Sequence, residues 1–166
     1  MNLEWFDDES VLRSMLLTEL DEHTRMLFKQ LCMLNCGIQL VRFLVENKHT
    51  LATVEGIAYH LNEPPAKVEA DVQELENLGL VRQVEVADLA LFGVTMDLNR
   101  EQLMRDLCAW QERWQLRLAR IERAIDGKHD RLDQARATVR EISAWIFRRH
   151  EIGNHLLAPV YLRELG

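Results

Sequence analysis

Cys32 and Cys36 stand four residues apart, a spacing that puts two thiols on one helix face. Such a pair can ligate a metal or sense oxidation. A metal would need further ligands, and His23 and His49 lie well away in sequence. Buried cysteine behaves as a small hydrophobe, so the simpler reading of the pair is core. Cys108 flanks an apolar stripe and reads the same way. The histidines, at 23, 49, 60, 129, 150 and 155, form no i, i+4 pair and no HExxH. His150, Glu151 and His155 fall close together but match no metal motif. The seven glycines are scattered, so there is no Gly-rich loop of the phosphate-cradling kind, and there is no Gly-x-Ser-x-Gly elbow. Asp7, Asp8 and Glu9 suit the positive end of a helix dipole better than a paired-carboxylate site. These residues predict no catalysis, no metal and no cofactor.

Arg113, Arg117, Arg120 and Arg123 share one side of a helical pattern, beside Trp110 and Trp114. They can form an anion site or a cationic edge facing an acidic partner. They can equally be the flank of a helical interface, where long basic stems cover apolar surface. The two tryptophans can line an effector pocket or lie in the core or an interface.

The elements that position these residues follow from periodicity. Asp7 or Asp8 can cap a first helix reaching about Leu31, with Leu12, Leu16, Leu20 and Leu27 in line. It can cover its own core or pack on a partner. Asn35 can cap the next helix, whose stripe is Ile38, Val41, Leu44 and Val45, widened by Phe43. Leu51 and Ala52 suit a small strand. Thr53 can cap a short helix with Val54, Ile57, Ala58 and Leu61 on one face. Asn62 follows at a turn, and Pro64 and Pro65 restart the chain, since a first-turn Pro sacrifices no helical hydrogen bond. A second helix then carries Val68, Val72, Leu75 and Leu78, and Gly79 is placed to stop it. Two β-rich runs, 80–86 and 91–95, flank a break at Ala87-Asp88.

Asn99 can cap a long helix to about Asp126. Its stripe is Leu103, Leu107, Trp110, Trp114, Leu118, Ile121 and Ile125. Asp126, Gly127 and Lys128 make a stop, and a last helix over about 130–150 shows Leu132, Ala135, Val139, Ile142 and Ile146. One such hairpin leaves much apolar surface uncovered, which usually marks an interface. A homodimer is therefore expected through Leu103, Leu107, Trp110, Trp114, Leu118, Ile121, Ile125, Val139, Ile142 and Ile146. The tail, 151–166, is rich enough in apolar residues to dock.

The chain has 166 residues, 48% of them hydrophobic, enough for a real core. No apolar run approaches the ~20 residues of a membrane span. Residues 1–8 hold three acids and no base, unlike a signal peptide, and an odd number of cysteines fits a reducing cytoplasm. Residues 1–97 hold 7 Lys/Arg against 17 Asp/Glu, a net of −10, whereas residues 98–150 hold 12 against 8, a net of +4. Such asymmetry can steer neighbouring subunits together, or it can merely reflect solvated helix faces.

Residues 35–97 resemble the MarR-like and TrmB-like winged-helix transcription regulators. The resemblance rests on Thr53, Ile57-Ala58, Leu61, Asn62, Val68, Leu75-Glu76 and Gly79-Leu80-Val81, without a gap. It implies a mainly α fold with a small α+β winged helix at 35–97. Around it would lie a packing or dimerisation helix at 1–34, an antiparallel helical hairpin at 98–150 and the docked tail. It also implies duplex DNA as partner, with the second helix in the major groove. Pro65, Ala66, Lys67 and Ala70 would approach the groove, and Arg82 would touch phosphate. Yet from Pro64 to Leu78 there is one base, Lys67, against Glu69, Asp71, Glu74 and Glu76. The strands add Arg82 against Glu85, Asp88 and Asp97, around an apolar tip at Leu89 to Phe92. Two readings follow. The resemblance favours a dimeric DNA-binding transcription regulator without catalysis. The local charge favours a winged-helix module that binds a protein partner instead.

Overall fold

The computed structural model describes residues 9–126 and 133–147. Among them it is mainly helical, with seven helices and one two-stranded antiparallel sheet. The first stretch is two helices rather than the single one expected. These are α1 (Glu9–Thr18) and α2 (Glu22–Cys32). The break has a local cause. The Asp21 carboxylate accepts the Thr24 N–H at 2.8 Å and so starts α2. Arg25 then reaches back and donates to the carbonyls of Leu17 and Leu20, both at 3.1 Å, closing the end of α1.

Next comes α3 (Gly37–Glu46), most of it buried. Its cap residue is Cys36, not Asn35, and Cys36 supplies no side-chain cap. A single bridge pairs Ala52 with Phe92 through hydrogen bonds of 2.8 and 2.9 Å, as the reading of Leu51 and Ala52 expects. Thr53 caps α4 (Val54–Leu61), its hydroxyl accepting the Gly56 N–H at 3.0 Å. Asn62 then turns the chain in the left-handed region, φ 55°. Pro65 opens α5 (Pro65–Asn77). Gly79, at φ +75°, ends it, and the Leu80 N–H returns to the Leu75 carbonyl at 2.9 Å.

The hairpin consists of β1 (Val81–Val86) and β2 (Leu89–Val94) in a register running from Val81 opposite Val94 to Val86 opposite Leu89. Ala87 and Asp88 both take positive φ, 50° and 68°, which is the two-residue turn that matches strand twist. The second strand thus begins two residues earlier than its apolar pattern suggests. Then α6 (Leu98–Asp126) runs for 29 residues, and α7 (Asp133–Phe147) packs back on it. The cap of α6 is Asp97 rather than Asn99, because its carboxylate accepts the N–H groups of Asn99 and Arg100 at 3.0 and 3.3 Å.

One continuous core joins these elements from Leu12 to Phe147. At its centre the Phe28 ring meets Trp110 and Trp145 edge-on, each at 5.2 Å. Two buried or half-buried amides bond to the last described carbonyls of α7. Gln111 donates to the Ile146 carbonyl at 2.9 Å and Gln39 to that of Phe147 at 3.2 Å.

The residues of the expected dimer seam lie against this core. Leu107, Trp110, Leu118, Ile121, Ile125, Val139, Ile142 and Ile146 are buried within the one chain, and Leu103 and Trp114 are half-buried against the same core. By dividing at residues 19–21, α1 and α2 fold back over the helical hairpin and cover the stripe, α2 on α6 and α1 on α7. The capping of the first helix by Asp7 or Asp8, the turn at Gly127-Lys128, the helix end at 148–150 and the docking of 151–166 lie outside the described residues.

Candidate interaction surface

The helix α5 is amphipathic, with Val68, Asp71, Val72 and Leu75 inward. At 100° per residue, its outward face has Ala66, Ala70, Gln73 and Asn77 along the middle. Glu69 and Glu76 flank them on one side, and Glu74 and Lys67 on the other, all exposed. Pro65, Ala66, Lys67 and Ala70 are all exposed.

Asp71 does not belong to that surface. It is 2% exposed. Its Oδ1 accepts the backbone and side-chain N–H groups of Asn35 at 3.2 and 3.3 Å. Its Oδ2 accepts the Cys36 N–H at 2.6 Å and the Cys36 thiol at 3.0 Å. Asp71 thus supplies the cap that α3 lacks in its own sequence. The outward face of α5 carries Lys67 against three glutamates, a net of −2 rather than the −3 counted along the helix.

Arg82 lies on β1, half-buried, and its Nε donates to the Val94 carbonyl across the hairpin at 3.1 Å. At the far end Val86 and Leu89 face each other, 51% and 57% exposed, beside Asp88. The apolar tip is smaller than Leu89 to Phe92, because Ala90 and Leu91 are half-buried and Phe92 is in the core.

A second charged surface runs along α6, where Arg113, Arg117, Arg120 and Arg123 are exposed. Arg117 is tied down: it pairs with Glu19 at 3.3 Å and lies over the Trp114 ring at 4.9 Å. Trp114 donates to the same carboxylate at 2.7 Å, so this tryptophan braces the α1–α2 corner. Trp110 is buried and donates to the Leu16 carbonyl at 3.2 Å. Sequence reasoning missed Glu19 as the centre of this cluster, since its partners lie about a hundred residues away.

None of the three cysteines is in a disulfide; Cys32 is half-buried and Cys36 and Cys108 are buried. Burial, with the Asp71 hydrogen bond, holds the Cys36 thiol well above its ordinary range. Burial pushes Cys108 up to about 11. No group of three His, Cys, Asp or Glu among the described residues is placed to hold a metal. No described helix is long and apolar enough to cross a membrane. The surface presents three carboxylates and one ammonium group around a shallow helix face, and a pair of aliphatic side chains at a tight turn. Comparison of the chain with protein-family models, characterised proteins and solved structures returned no match.

Proposed function

We propose that this chain is a winged-helix module that docks on protein, using the outward face of α5 and the hairpin end. The winged-helix reading is supported by the order of parts: α3, the Ala52 bridge, α4, the Asn62 turn, α5 and the hairpin. The protein-binding reading rests on one observation, the excess of carboxylates over cations on the exposed face of α5. A duplex carries one negative charge per ~1.7 Å of axis and repels such a face. A cationic or aliphatic protein surface is attracted to it and to Val86 and Leu89. The test is fluorescence anisotropy of a labelled random duplex, titrated from ~20 to ~200 mM salt. No binding at the lowest salt is expected. Binding that weakens along a log–log slope and disappears in Lys67→Ala overturns the reading.

A dimeric DNA-binding transcription regulator is the second reading. Lys67 in the exposed first turn of α5 and Arg82 on the adjoining strand favour it.

A further inference from the structure

We infer that the acidic face of α5 and the arginine ridge of α6 are the two halves of one interface, by which copies of this chain join head to tail. This rests on the reading of α5 as a protein-binding face. Three observations support it. First, both surfaces are unspent. Glu69, Glu74 and Glu76 form no ion pair among the described residues, and neither do Arg113 and Arg120. Two other exposed arginines are spent on their own chain, Arg117 on Glu19 and Arg140 on Glu122.

Second, the spacings agree. Glu69 and Glu76 are seven residues apart on α5, and Arg113 and Arg120 are seven apart on α6. Each pair spans ~10.5 Å along its axis, so two helices laid side by side can bring both pairs into register. Third, the shapes agree. The middle of the α5 face is floored by Ala66 and Ala70, a shallow trough with Glu69 and Glu76 along one side and Glu74 and Lys67 along the other. The α6 ridge carries Leu116 beside Arg113 and Arg120, and Leu116 is 61% exposed. An aliphatic side chain flanked by guanidinium groups fits a trough of that kind, with the charges closing around it. The contact is heterologous, so it builds rings or open chains rather than an isologous pair.

Sedimentation velocity on the full chain tests the interface, at ~20 and ~200 mM salt. The wild-type chain is expected to associate at low salt and to dissociate at high salt. The double variants Glu69→Arg with Glu76→Arg, and Arg113→Glu with Arg120→Glu, are each expected to weaken association by more than about a hundredfold, because like charges then face each other. All four positions are exposed, so circular dichroism should show both variants folded. Mixing the two variants in equal amounts should restore association, since each reversed face now meets its complement. Failure of the mixture to associate overturns the interface, as does association that neither double variant weakens. A wild-type monomer at low salt that also leaves a labelled duplex free overturns the interface but leaves α5 a protein-binding face for another partner. A monomer that binds the duplex overturns both.

Discussion

Asp71 lies on α5 but caps α3: its Oδ2 accepts the Cys36 N–H at 2.6 Å and the Cys36 thiol at 3.0 Å. Four donors converge on this one buried carboxylate. It ties the start of α3 to the inward face of α5. Asp71→Leu should therefore cost about 3 kcal/mol or more, because buried N–H groups lose a charged acceptor. Asp71→Asn keeps one oxygen but turns an NH2 group toward donors, and should cost somewhat less. Urea unfolding of the three proteins checks the order.

The three thiols should separate by rate. Cys32 is half-buried, whereas Cys36 and Cys108 are buried with raised pKa values. A disulfide reagent at pH 8 should label one thiol of the folded chain quickly and the other two only as the chain opens. Two fast thiols would contradict this packing.

Cys108 also makes stability pH-dependent. Its pKa rises from 9.0 to about 11 on folding, chiefly by burial. The unfolded chain then loses the proton first, so the stabilisation is complete below pH 9 and is lost as pH rises toward 11. The loss is on the order of 2 kcal/mol. Denaturant midpoints at pH 8 and pH 10.5, compared with those of Cys108→Ala, isolate it. The variant should show the smaller fall.

Much of the region from Thr53 to Gly79 was legible because its signals are local. A threonine cap, an asparagine in the left-handed region and a glycine stop each act within a few residues, and all three sit where the sequence puts them. The break at residues 19–21 was missed because a continuous leucine line masks it. Asp21 and Arg25, which make the break, read equally well as surface charges on one helix. Asp71 is also unmarked in the sequence. In sequence it is one acid among four, and only the approach of the α3 N-terminus, 35 residues away, separates it from Glu69 and Glu74. The stripe on α6 was read correctly as apolar. What covers it depends on tertiary folding, which periodicity does not report.

The hairpin turn holds a correctable strain. Ala87 sits at φ 50°, a region that costs a residue with a Cβ about 1 kcal/mol relative to glycine or asparagine. Ala87→Asn should raise stability by about 0.5–1 kcal/mol, and Ala87→Val should lower it by at least as much. The position is exposed, so packing contributes little to either change. Thermal unfolding in matched buffers checks the sign. A stabilising valine would mean that the turn is not of this type.

Gly79 faces two separate constraints, and they can be told apart. Its φ of +75° disfavours any side chain, and an added Cβ would run into the Arg100 guanidinium. Gly79→Ala should cost about 1–2 kcal/mol from the backbone alone. Arg100 is a long exposed side chain that pairs with Asp97 at 3.8 Å, so it can move aside at small cost. The double variant Gly79→Ala with Arg100→Ala should therefore recover little of the loss. Full recovery in the double variant would place the cost in the contact rather than in the backbone. The stop at Gly79 would then depend on α6 and not, as its geometry indicates, on the end of α5 itself.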